Sequence, residues 1–121
     1  MSARPPVAGR VTVQEAAEST GPRGARAVLL DIREPHEWQA GHAPGAVHLP
    51  LSALVTGAPL PAQAQAVPLV VICRSGNRSR QAVELLTARG ARAVDVIGGM
   101  EAWAVAGLPV VDARGGRGAV A

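Results

Sequence analysis

Two short apolar runs, Ala27–Ile32 (AVLLDI) and Leu69–Ile72 (LVVI), constrain this chain more than any other feature. Neither run alternates with polar residues in the way a half-exposed sheet requires, so both read as strands covered on both faces. Each ends in chemistry: Asp31 closes the first with Arg33 just beyond it, and Cys73 follows the second directly. Elsewhere the spacing turns helical. Thr12–Glu15 fits a capping box that opens a short helix through about Ser19. Glu34 to Gln39 makes a brief helix beginning near Pro35, and Leu51 to Val55 a helical turn. Arg78 to Arg89 forms a longer helix with Ala82, Val83, Leu85 and Leu86 inward, closed by Gly90. Met100 to Ala106 is a last helix stopped by Gly107-Leu108-Pro109, while Ala46–Leu49 and Ala93–Ile97 read as further strands. Strands alternating with helices at this spacing make an α/β domain with a mostly parallel sheet. In such sheets, sites collect beyond the C-terminal ends of strands, where Asp31 and Cys73 both fall.

A chain of 121 residues is long enough for one core and too short for two. The expected division is an N-terminal extension over 1–9, a folded domain over 10–111, and a flexible Gly/Arg tail over 112–121 lying outside the core. No apolar run approaches the ~18 residues of a membrane span, and the first residues carry no apolar leader segment. A single cysteine excludes an internal disulfide framework and a cysteine-pair metal site, and a reducing, cytoplasmic setting is expected. The net charge is +3 and all twelve basic residues are arginine. Nucleic-acid binding would want that charge clustered among aromatics, and two tryptophans with no tyrosine or phenylalanine do not supply it.

The segment Cys73-Arg74-Ser75-Gly76-Asn77-Arg78-Ser79 has two readings. Cysteine is among the most buried residue types, so Cys73 can simply complete its strand before an ordinary turn. Alternatively it is a nucleophile over an anion site. A free thiol has a pKa of about 8.5, and only its thiolate attacks well. Amides at a helix start and successive loop amides favour the anion, and Arg74, Arg78 and Arg80 add positive potential. Gly76 supplies the backbone freedom of a curled loop. A strand end, a glycine-containing turn, three arginines and an immediate helix together favour the nucleophile. Cysteine phosphatases use a similar device, but their phosphate-forking arginine would stand where Ser79 does here. Arg78 arrives one residue early, which encloses a smaller anion site, better matched to sulfur transfer than to a phosphate group.

With these residues in view the chain resembles the single-domain rhodaneses, a sulfurtransferase family, over roughly Val11 to Val110. The carrying segments are Leu30–Glu34, Glu37–Ala46, Cys73–Ser79 and Gly98–Trp103, in that order. The resemblance implies a central parallel sheet of about five strands with helices on both faces. It further implies that Cys73 takes a sulfane sulfur from a donor such as thiosulfate and carries it as a persulfide. The acceptor would be thiophilic: cyanide, a thiol or a sulfur-acceptor protein. Arg74, Ser75, Gly76, Asn77, Arg78 and Ser79 would form the substrate cradle. No metal or organic cofactor is implied, and neither nucleic acid nor membrane is an expected partner.

The remaining motifs read as support. Asp31 is expected to bind backbone amides, and Arg33 to pair with Glu34 or Glu37. His42 is expected to be a hydrogen-bonded structural histidine, and Trp38 and Trp103 to pack. Two departures from the family pattern stand out: Ala43 replaces a branched aliphatic before Pro44, and the loop lacks a lysine. The alternatives are a protein-interaction module, which Cys73 argues against because inactive modules often lack it, and a cysteine phosphatase or arsenate reductase.

Overall fold

In the computed structural model, which describes residues 9–121, the two apolar runs lie side by side inside one sheet. The strands are β1 (Arg10–Val11), β2 (Val28–Asp31), β3 (Val47–His48), β4 (Leu69–Ile72) and β5 (Ala93–Val96). Their order is β1-β5-β4-β2-β3, and every pairing is parallel. In the register of β2 with β4, Leu30 lies opposite Val71 and Asp31 opposite Ile72. Both chemistry-bearing strand ends therefore open on the same edge, side by side.

Alternation along β4 divides the core in two. Leu69, Val71 and Cys73 join Leu30 and Ile32 on one face, covered by Leu54 of α3 (Leu51–Val55) and by Ala82 and Leu86 of α4 (Arg78–Ala88). Val70 and Ile72 face the other side with Leu29, covered by Val13 and Ala16 of α1 (Val13–Thr20) and by Met100 and Trp103 of α5 (Gly99–Val105). Helices on both faces explain why neither central strand alternates, each buried Leu, Ile or Val stabilising the fold by about 1.5–3 kcal/mol. The capping box of α1 is formed, with the Glu15 amide donating to the Thr12 hydroxyl and the Thr12 amide to the Glu15 carboxylate. No helix among the described residues is long and apolar enough to cross a membrane.

Three features differ from expectation or were not foreseen. Strand β1 is only two residues long and has no pattern of its own; pairing of Arg10 with Asp95 in β5 creates it. A 3₁₀ turn at Ala62–Ala64 seats Ala64 in the core, and nothing in the sequence announced it. The tail 112–121, expected outside the core, instead folds back over it. Val111 bridges antiparallel to both His42 and Arg117, the Ala119 amide donates to the Ala40 carbonyl at 3.0 Å, and Val120 packs against the second core cluster. The reason is local turn chemistry: the Asp112 carboxylate accepts from the Arg114 and Gly116 amides at 2.9 Å each, and Gly115 takes a φ of +82°. The glycines that suggested disorder make the turn, and the returning chain satisfies exposed backbone groups after α2 (Pro35–Ala40). The expected extension over 1–9 lies outside the described residues except for Gly9.

Candidate active site

Cys73 follows β4 at the C-terminal edge of the sheet, and the first turn of α5 holds it there. The Met100 amide donates to the Cys73 carbonyl at 2.8 Å and the Glu101 amide to the Arg74 carbonyl at 2.9 Å. This approach depends on Gly99, with φ +58°: a Cβ there would overlap the Cys73 carbonyl and lie 2.7 Å from the Arg74 carbonyl carbon. Gly76 turns the loop with φ +98°, so that its N–H donates to the Cys73 Sγ at 3.1 Å. Asn77 then begins α4 without a side-chain cap, leaving first-turn amides at the loop of the kind that bind anions.

Beneath the loop, the Cys73 Sγ–H donates to the Ser79 Oγ at 3.4 Å, and the Ser79 hydroxyl donates to Asp95 Oδ2 at 3.0 Å. Arg10 completes the chain, its Nε donating to Asp95 Oδ1 at 3.0 Å and its Nη2 to Oδ2 at 3.1 Å. The residue Cys73 is 1% exposed, and it also joins the first core cluster. Burial and a polar surround of the sulfur coexist at this position. Arg74, Ser75, Asn77 and Arg80 are exposed around it. Among the described residues no group of three or more His, Cys, Asp and Glu side chains could hold a metal ion.

The supporting residues are arranged differently from expectation. Arg33 pairs with neither Glu34 nor Glu37. Its Nε and Nη2 donate to the Asp31 carboxylate, at 3.0 and 2.8 Å for the closer contacts, and Nη2 also donates to the Gly41 carbonyl at 2.6 Å. Residues two apart in extended backbone share a face, which puts Asp31 within reach before any residue of the next helix. Asp31 also accepts the Arg33 backbone amide at 3.0 Å, the kind of bond expected of it. Glu37 is taken instead by Arg78, through two N–H···O contacts of 2.8 Å each. The Arg78 hydrogen bond outweighs burial and holds the Glu37 carboxyl at about 2, while the same contact raises Arg78. Arg78 thus points its guanidinium at α2 rather than into the loop, and Arg74 lies 3.5 Å from Glu101 at the surface. His42 bonds the Trp38 carbonyl at 2.7 Å, and Trp38 stacks on both His42 and His48.

The family model for the rhodanese-like domain matches residues 12–106. The chain belongs to the rhodanese-like family. It is 36% identical over 104 residues to the adenylyltransferase and sulfurtransferase MOCS3-2 of Zea mays, covering 81% of this chain and 21% of that protein. The chain spans about a fifth of the length of the curated relatives it matches. A rhodanese-related protein from Thermoplasma volcanium superposes with a TM-score of 0.71 at 32% identity, over 84% of this chain and 96% of that one. A Rhodopseudomonas palustris protein of unknown function, described as a possible tyrosine phosphatase, gives 0.73 at 26% identity over 84% and 83%.

Within this rhodanese-like domain, sequence reasoning collected the Cys73–Ser79 loop but missed Asp95 and Arg10. In the sequence Asp95 reads only as part of the strand Ala93–Ile97. The available signal was an acid inside a run that the sheet must bury: Asp95 is 2% exposed, and a buried carboxylate requires partners. Nothing in the sequence named Arg10 as that partner.

Proposed function

We propose that the chain is a sulfurtransferase that moves a sulfane sulfur from thiosulfate or a related donor through a persulfide on Cys73. The observation that carries this reading is a strand-end cysteine whose sulfur receives the Gly76 N–H under a loop one residue too short for a phosphatase arginine. In the first half-reaction the Cys73 thiolate attacks the outer sulfur of thiosulfate. The sulfur–sulfur bond of the donor breaks, sulfite leaves with its electron pair, and a Cys73 persulfide forms. In the second, cyanide or a thiolate attacks the terminal sulfur, and Cys73 leaves as thiolate. Loop amides from Ser75 to Ser79 stabilise the oxyanion end of the donor and the anionic persulfide. Because Arg78 is engaged by Glu37 and Arg74 lies 3.5 Å from Glu101, attraction of the donor anion falls chiefly to the loop amides. Cys73 is buried beneath the loop, whose Arg74, Ser75 and Asn77 are exposed to solvent.

The sulfurtransferase in the name of the maize relative supports this reading, and a protein acceptor belongs to it as one acceptor class. The compartment proposed is cytoplasmic, since the single thiol must stay reduced between turnovers. A phosphatase reading draws on the description of the Rhodopseudomonas palustris protein. Against it stand Ser79 at the required arginine position and the Glu37 pairing of Arg78. The test is intact mass after incubation with thiosulfate, polysulfide or glutathione persulfide. One added sulfur atom is expected in the wild type and none in Cys73→Ala. Failure of all three donors to load Cys73 would overturn the proposal.

A further inference from the structure

Asp95 is a buried carboxylate at the back of the site that the sulfur-transfer steps leave without a role. A serine hydroxyl has one proton to give, and an ionised carboxylate can only accept. Ser79 donates its proton to Asp95 Oδ2 at 3.0 Å. The face of the Ser79 oxygen turned to Cys73, 3.4 Å away, therefore presents lone pairs. Its matching partner is S–H. A thiolate would meet lone pairs with the Asp95 charge behind them, and could recover the hydroxyl proton only if Asp95 gave it up. Arg10 holds the arrangement in place, binding both carboxylate oxygens of Asp95 and reaching the Gly76 carbonyl at 3.3 Å.

We propose that Asp95, acting through the Ser79 hydroxyl, holds the resting Cys73 thiol in its protonated form and so sets the thiol–thiolate balance of the site. Asp95 is then a positioning residue. The inference rests on the sulfur-transfer reading only in calling that thiol the working group. On loading, the Cys73 proton passes to solvent water and the Sγ–S bond replaces Sγ–H, while the Ser79–Asp95 bond needs no rearrangement.

The charged groups around the sulfur come from every element packed on the site. Gly76 N–H favours the thiolate, as does Arg78 of α4, tempered by its pairing with Glu37 of α2. Arg74 is paired with Glu101 of α5, and at the end of β2 Asp31 is paired with Arg33, which also donates to the Gly41 carbonyl. Asp95 of β5 opposes the thiolate and Arg10 of β1 moderates that opposition. A depression of about 170 Å³, lined by Arg10, Arg80, Glu84 and Asp95 among others, brings solvent to the far side of the pair.

The chain has one cysteine and no tyrosine, so the ultraviolet absorbance of thiolate during a pH titration reports Cys73 alone, whether or not sulfur is ever transferred. In Asp95→Asn the side-chain amide can donate to Ser79, freeing the hydroxyl proton for the sulfur. The titration midpoint is expected to fall by about one pH unit, raising the thiolate fraction about tenfold below the midpoint. In a Ser79→Ala background the same substitution is expected to move the midpoint by less than about half as much, because the coupling runs through the hydroxyl. A carboxylate that merely braces the loop would change thermal stability and leave the midpoint in place. An Asp95→Asn midpoint that stays or rises overturns the proposal. If that variant does not fold by circular dichroism, Arg10→Gln decides instead. It leaves the Asp95 charge unpaired, so its midpoint is expected to rise by about half a unit, and a midpoint that stays or falls overturns the proposal.

Discussion

Replacing Glu37 with glutamine removes the charge that holds Arg78 away from the loop, and its effect on stability can be worked from the geometry. Arg78 holds the Glu37 carboxyl at about 2 against an ordinary 4.5. A difference of that size corresponds to about 3.4 kcal/mol of pH-linked stability at neutral pH. The Arg78 side chain is 34% exposed, however, and solvent screens a pair of that kind, so about 1–2 kcal/mol is expected. Because the folded value is depressed, the contribution is complete above about 4.5 and is lost as pH falls toward 2. At pH 3 roughly two-fifths of it remains. Urea unfolding followed by tryptophan fluorescence, at pH 7 and again at pH 3, measures both values. Glu37→Gln is expected to be less stable than wild type at pH 7, with the gap more than halved at pH 3. A gap below about 0.5 kcal/mol at pH 7, or one unchanged between the two conditions, would refute the argument.

Three further outcomes follow from the backbone. Gly99→Ala puts a Cβ into the Cys73 carbonyl at a φ of +58°, and is expected to cost about 2–3 kcal/mol in thermal or denaturant unfolding. A variant within about 0.5 kcal/mol of wild type would show that this approach is not tight. Deleting 112–121 uncovers Gly41 and removes the Val120 packing, for an expected loss of about 1–2 kcal/mol. In the full chain the Ala119 amide is expected to exchange slowly because it donates to the Ala40 carbonyl; exchange at the rate of free chain would contradict the docked tail.

Features legible in the sequence share one property: their signal lies within a few consecutive residues. Strands β2 and β4 were readable because burial on both faces makes every residue of Leu29–Leu30 and Leu69–Ile72 apolar. Helix α1 was readable from the Thr12–Glu15 box, which bonds within itself. The Cys73 loop was legible because strand end, glycine turn and helix start follow one another between Cys73 and Ser79. Composition misled at the tail, where glycine, arginine and one aspartate can make either a disordered segment or the Asp112–Gly116 turn. The docking surface around Ala40–His42 selected the turn.

Charge pairing was not legible. Arg33 chose Asp31, Arg78 chose Glu37, and Asp95 chose Ser79 and Arg10, the last across 85 positions of chain. By itself the sequence determined where the backbone extends, coils and turns, because those preferences arise from each residue and its near neighbours. It also determined which residue carries the one thiol of the chain, because Cys73 is the only cysteine. The tertiary structure alone decided what surrounds that sulfur. The sheet order β1-β5-β4 brings Asp95 behind Ser79 and Arg10 beside Asp95. A buried charge such as Asp95 takes whichever partner the packing brings within about 3 Å, and for partners far apart in the chain no local pattern encodes that distance.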